Sequence, residues 1–352
     1  MRRISGRLAG GGAFVLLALA CNPEKPVGPQ SPTFDAAETL VAPLVLHTVA
    51  PQTTDPAIDR ALDNHYVWLD TTAKSNHKLF VFLPGTGQNP SIFQLVQQEA
   101  ARLGYHVIGL MYPTGGGLAK ACPTTPDPSA CYENARLEII DGIDRVAFMD
   151  VNVANSIDNR LTKLLQYLAL QYPDEGWDRF LLRDQPKWSQ IAISGHSGGG
   201  GNAAMIAKIR LVTRVVLFSS VTDSIHTDAP SWLATHLTPV ERYYGIAHDR
   251  DVFYRSIRAG WDSLGLGVFG APATPETSSP PYDGTHTLVT DLTPQGGFVD
   301  NNAHGVPSND LNTSLGPDGT PVLSDAWRYL LTARGAGHED VEANETSSGG
   351  GR

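Results

Sequence analysis

Short apolar runs recur along this chain, separated by stretches of helical periodicity. Lys78 to Leu83 reads KLFVFL, a nearly unbroken apolar run too short for a helix. It predicts a strand buried on both faces. Similar runs lie at His106 to Met111, Gln190 to Ser194, Arg214 to Phe218, Val240 to Ala247 and Thr287 to Leu292. Each is rich in β-branched or aromatic residues and bounded by turn formers. Between them, Ile92 to Leu103, Ala154 to Gln171, Asn202 to Leu211 and Val252 to Leu264 repeat apolar residues at helical spacing. The alternation predicts an α/β fold, with a mainly parallel central sheet flanked by helices on both faces. Ligands of such sheets bind beyond the carboxyl ends of the strands, so reactive residues just after strands carry the most weight.

The two ends of the chain break this pattern. Arg2, Arg3 and Arg7 precede an apolar run from Ala13 to Ala20, and Ala18-Leu19-Ala20 places small residues before Cys21. The run is short for a membrane span and has the layout of an export signal. With Cys21 directly after it, the segment resembles the lipobox of bacterial lipoproteins, which implies lipidation of Cys21. Residues 1–20 are therefore expected to be a lipoprotein-type signal peptide. Residues 21–38, rich in Pro, Ser, Thr and Gly, are expected to be a flexible tether, 39–334 the folded domain, and 335–352 a disordered tail. The expected location is outside the cytoplasm on a membrane anchor, with a soluble periplasmic or secreted protein as the alternative. No later stretch approaches 18 apolar residues, so no transmembrane helix is expected.

The composition is that of a globular protein, with 41% hydrophobic and 18% charged residues among 352. The net charge is −10, and without the three arginines of the leader 23 basic face 36 acidic residues. Such an excess of acid repels phosphate backbones, so nucleic acid is not an expected partner. Three cysteines are present. With Cys21 taken by lipidation, Cys122 and Cys131 remain as a pair in the proline-rich segment CPTTPDPSAC, and an exported chain would join them. The three prolines of that segment argue against a regular helix or strand. Two cysteines without a nearby His cluster do not make a zinc site. Glu138, Asp141, Asp144 and Asp150 match no Ca²⁺ loop and are expected on a solvated helix face.

The chemistry centres on Gly195-His196-Ser197-Gly198-Gly199. A G-x-S-x-G pattern alone is weak, but here Ile191-Ala192-Ile193 precedes it as a strand and Asn202 to Ile206 follows as a helix. That is the strand–turn–helix setting of a nucleophile elbow, in which small neighbours let strand and helix converge beneath the serine. A serine hydroxyl needs a base, and the base needs an orienting acid. His304 follows the last expected strand and is the base of choice. His286 lies at the amino end of that strand, His226 and His236 precede the strand before it, and His338 falls in the tail. Asp249 and Asp251 both follow the strand at Val240 to Ala247, and Asp223 follows the preceding one. Asp251 also stands where a helix N-cap would be. For the oxyanion, the backbone N–H of Gly198 would act with that of Thr86 or Gly87 in the turn after Leu83.

From about Lys78 to Leu331 the chain resembles the α/β-hydrolase superfamily. More narrowly, it resembles a group of exported bacterial serine hydrolases. The segments that carry the likeness are FLPGTGQNP, CYENARLEIIDG, ISGHSGGGGNAA, RYYGIAHDRD and NNAHGVPSND. The resemblance implies the α/β-hydrolase fold. It favours Asp251 as the acid, through a His-x-x-Asp pattern matched by His248 and Asp251, with Asp249 as the alternative. It implies a serine hydrolase that needs no metal or organic cofactor. A small-molecule or polymeric ester is the first expectation for its substrate. A peptidase or amidase of the same fold, or a non-catalytic surface binding protein on this scaffold, are the alternatives. Replacing Cys21 tests the anchor. Cys21→Ser should abolish palmitate labelling and move the protein from the membrane to the soluble fraction, and a wild-type protein that is already unlabelled and soluble would refute the lipoprotein reading.

Overall fold

All six runs expected as strands form strands, and they lie side by side in one sheet. The computed structural model describes residues 44–299 and 301–333. The expected signal peptide, Cys21, the tether and the tail lie outside them. The sheet has eight strands, β1 Val45–Val49, β2 His65–Leu69, β3 Leu79–Leu83, β4 His106–Gly109, β5 Ile191–His196, β6 Arg214–Phe218, β7 Tyr243–His248 and β8 Thr287–Thr290. Their order is β1-β2-β4-β3-β5-β6-β7-β8. From β4 to β8 every pairing is parallel, while β2 runs antiparallel to both β1 and β4.

β1 and β2 are additions to the expected set. β1 is a half-exposed edge strand, and its apolar positions are too few to stand out from the chain around it. The strand expected from Val240 starts only at Tyr243, because Pro239 leads into a 3₁₀ turn over Val240–Arg242.

Side chains alternate across the sheet. Leu79, Val81 and Leu83 pack on one face with Ile191, Ile193, Val215 and Leu217. Phe80 and Phe82 pack on the other with Val107, Ala192, Val216 and Phe218. The first face is covered by α2 Pro128–Asp141, α3 Ile157–Gln171, α4 Gly198–Ile209 and α5 Tyr254–Leu264. The second is covered by α1 Gln94–Arg102 and α6 Ser324–Thr332. Apolar residues on both faces explain why the strands read as continuous apolar runs rather than as alternating ones. Burial of each large side chain here contributes about 1.5–3 kcal/mol. Among the described residues, no helix is long and apolar enough to cross a membrane.

Two features of the segment after β4 correct the sequence reading. The stretch between the cysteines is not free of helix: Cys131 sits in the first turn of α2, which begins at Pro128 with Asp127 accepting from Ala130 N at 3.0 Å. Proline is accepted at the first helical position because the N–H it lacks has no intrahelical partner there. Glu138 does not lie on a solvated face. It is buried, and its carboxylate accepts the N–H groups of Arg145 at 2.7 Å and Val146 at 3.0 Å, closing the turn that follows α2.

Cys122 and Cys131 are joined in a disulfide, nine residues apart. Both are buried in the core on the first face of the sheet. Closing so short a loop stabilises by about 2–3 kcal/mol in the chain-entropy model. Replacing both cysteines by Ala should lower the stability by this amount, read from the urea midpoint at constant m-value, and an unchanged midpoint would contradict it.

Candidate active site

The parallel strands place their carboxyl ends along one edge of the sheet. The chain leaves β3 for β4 on one side and returns to β5 on the other, so β3 and β5 flank the point where the winding reverses. Crevices form at such points. Ser197 follows β5 there, beside the Pro84–Gln88 turn that follows β3.

Ser197 has φ 53° and ψ −122°, a left-handed conformation that a non-glycine residue rarely adopts. Strain of this kind costs about 1–3 kcal/mol and persists only where surrounding bonds enforce it. Ser197 N donates to Phe218 O at 2.9 Å, and Ser197 O accepts from Ser220 Oγ at 2.8 Å and from Gly201 N at 3.2 Å. The glycines around it leave no room for a side chain. A Cβ on Gly195 would lie 2.4 Å from Gly199 C, one on Gly199 2.1 Å from Leu83 O, and one on Gly200 2.5 Å from Ser220 Cβ. Helix α4 therefore begins at Gly198, four residues before the expected Asn202. Close packing against β3 and β6 outweighs the poor helix propensity of four successive glycines.

His304 lies on a short helical turn, Asn302–Gly305, after β8. Its Nδ1 donates to Asp251 Oδ2 at 2.7 Å, and the Asp251 side chain is fully buried. The second oxygen of Asp251 accepts from Phe253 N at 2.8 Å, so one carboxylate both steadies the turn before α5 and orients the imidazole. The bond to Asp251 holds the proton on Nδ1. It leaves the lone pair on Nε2, which is buried without a hydrogen-bond partner among the described residues. The backbone of His304 is tied to the elbow, since its carbonyl accepts from His196 Nε2 at 2.9 Å and from Ser219 Oγ at 2.8 Å. Ser197 Oγ and His304 Nε2 are not hydrogen-bonded to each other.

The other residues weighed from the sequence have different partners. Asp249 is half exposed and stands beside His248 Nδ1 at 3.0 Å, away from His304. His248 is a buried strut, with Nε2 on Leu292 O at 2.8 Å and Nδ1 accepting from Arg250 N at 2.9 Å. Asp223 is committed to Arg136. His286 is stacked between Tyr244 and Phe269 at the amino end of β8. Gly198 and Thr86 do meet: a Cβ on Gly198 would lie 2.7 Å from Thr86 Oγ1 and 3.6 Å from Thr86 N. The N–H of Gly198, at the first position of α4, has no intrahelical partner. Gly87, in the same turn as Thr86, has φ +72°.

Several residues of this site escaped the sequence reading. Arg136, Asn202 and Tyr112 surround the elbow, Ser220 binds its backbone, Ser219 binds the carbonyl of His304, and the ring of Phe253 meets His304 edge-on at 5.1 Å. Only His196 had a visible signal, its place beside the serine. Burial and the neighbouring His304 push its imidazole down to about 3, so it stays neutral and donates from Nε2.

The chain matches no model of a known protein family, and no curated protein matches it. Fold and site together define an α/β protein that gathers a strained serine, an Asp-oriented histidine and the first N–H of a helix at the carboxyl edge of a mostly parallel sheet.

The buried His196 has a pH signature. Between pH 6.5 and about 3 the unfolded chain takes up a proton there that the folded chain refuses, so this residue makes stability fall as pH falls through that window. His196→Gln cannot titrate and should lose less stability than the wild type between about pH 7 and about pH 4. Equal pH slopes in urea unfolding would contradict a buried neutral His196.

Proposed function

We propose that this chain is a serine hydrolase of the α/β-hydrolase type that cleaves carboxylic esters through an acyl-enzyme intermediate. The observation that carries the reading is the 2.7 Å bond from His304 Nδ1 to buried Asp251, which leaves Nε2 unpartnered among the described residues at the edge of the sheet that holds Ser197. In this reading Ser197 Oγ attacks the ester carbonyl carbon while His304 Nε2 takes its proton. Asp251 holds the imidazolium in place. The N–H groups of Gly198 and Thr86, with Gly87 as the alternative to Thr86, bind the oxyanion. Collapse of the tetrahedral adduct breaks the C–O bond, and His304 returns the proton to the departing alcohol. Water then attacks the acyl-enzyme with His304 as base, releasing the acid and restoring Ser197.

An ester with apolar groups suits the surroundings. Phe253 packs on His304 while keeping 37% of its surface exposed, and the adjacent Val252 is 66% exposed. Phe298 and Val299, shortly before His304 in the chain, are also exposed. Export, with attachment through Cys21, remains part of the proposal and accords with the Cys122–Cys131 disulfide.

A fluorophosphonate should label Ser197 and no other residue. Ser197→Ala and His304→Ala should each lower kcat on p-nitrophenyl esters by about 10⁴–10⁶-fold, with the double variant little worse than either. Asp251→Asn should cost somewhat less, while Asp249→Asn should leave turnover within about twofold. Near-normal hydrolysis by Ser197→Ala would refute the mechanism, and p-nitroanilides turned over faster than the esters would shift the assignment to an amidase.

A further inference from the structure

We propose that Arg136 is a positioning residue that fixes both walls of the oxyanion hole, a role that rests on the hydrolase reading above. Arg136 and Asp223 form an ion pair in which each side chain is 3% exposed. A buried pair of this kind is weak as a source of stability, because apolar residues of similar volume commonly serve as well. What distinguishes it is where its remaining donors go.

Arg136 Nε and NH2 donate to the two oxygens of Asp223 at 2.7 and 2.5 Å. The other arm, NH1, donates to Gly198 O at 2.9 Å and to Asn202 Oδ1 at 2.7 Å. The first bond holds the opening residue of α4, whose N–H is one oxyanion donor. The second starts a relay. Asn202 Nδ2 donates to Tyr112 OH at 3.1 Å, and Tyr112 OH donates to Pro84 O at 2.8 Å. Burial pushes the Tyr112 phenol upward, which keeps it protonated and able to donate. Pro84 leads directly into Gly85-Thr86, the other wall. All bonds of the relay point the same way, from the guanidinium to the carbonyl, so each strengthens the next.

One glycine of the elbow is explained by this arrangement alone. A Cβ on Gly201 would lie 2.2 Å from Arg136 Cζ and from Arg136 NH2. The fourth glycine of the run thus makes room for the guanidinium, as Gly199 and Gly200 make room for β3 and Ser220. A lysine at position 136 would keep the charge but could not serve Asp223, Gly198 and Asn202 together.

The test separates positioning from plain stability. Tyr112→Phe removes the hydroxyl that joins Asn202 to Pro84 and leaves the ion pair intact. It should lower kcat about 10–100-fold with KM near the wild-type value, since small displacements of an oxyanion donor act on the transition state. Affinity for a trifluoromethyl ketone, whose adduct carries the oxyanion, should fall by the same factor. Arg136→Lys should show the same kcat-against-KM split more strongly. Should Arg136→Lys fail to fold, Tyr112→Phe still decides. If Tyr112→Phe keeps wild-type kcat and ketone affinity, whether or not its melting temperature drops, the network is merely structural and the inference is overturned. A wild type that neither reacts with the fluorophosphonate nor hydrolyses esters would instead overturn the hydrolase reading, and this inference with it.

Discussion

The site depends on one close approach, that of the N-terminal turn of α4 to the carboxyl ends of β3 and β5. Backbone atoms there stand where side chains would otherwise be, with Leu83 O only 2.1 Å from any Cβ added at Gly199. That contact forces the chain to reverse within one residue, and Ser197 takes up the strain. The reversal leaves Gly198, the first residue of α4, without a helical partner for its N–H and close beside Thr86. Glycine in a helix costs up to about 1 kcal/mol relative to alanine, so four in succession make sense only where space requires it.

Around this turn the histidines differ in what their ring nitrogens meet. His196, His286 and His248 each bind backbone carbonyls through a ring nitrogen. Burial holds His196 and His286 well below the usual histidine range. His304 differs in that its Nδ1 donates to a fully buried carboxylate and its Nε2 has no partner among the described residues. The carbonyl of His304 is used as well, joined to His196 and Ser219, so the loop that carries the imidazole is fixed to the elbow by its backbone. The ring is therefore oriented from both ends, by Asp251 through the side chain and by the elbow through the main chain.

Local pattern was informative where burial is two-sided. β3, β5 and β6 appear as apolar runs because both of their faces are covered, and their limits differ from the sequence reading by two residues at most. β1 was illegible because one edge and much of its surface meet solvent. The start of α4 at Gly198 leaves no helical signature, because its glycines obey packing rather than propensity. Cys131 lies in a helix despite the prolines around it because Pro128 takes the first helical position, where proline is accepted. Glu138 appeared as surface charge because its partners are backbone N–H groups, which leave no mark in a sequence.

By itself the sequence determined the α/β class, the six parallel strands and the setting of Ser197, because these follow from periodicity and from small residues at fixed spacing. It also limited the candidate partners of Ser197 to a few residues after strands. The choice among Asp223, Asp249 and Asp251 belonged to the tertiary structure. All three follow a strand, yet only Asp251 bonds to His304, which lies 53 residues further along the chain. Asp223 is taken by Arg136, 87 residues before it. Such pairings depend on side-chain direction at the scale of one hydrogen bond, which is set by how turns from separate strands pack and not by any local repeat.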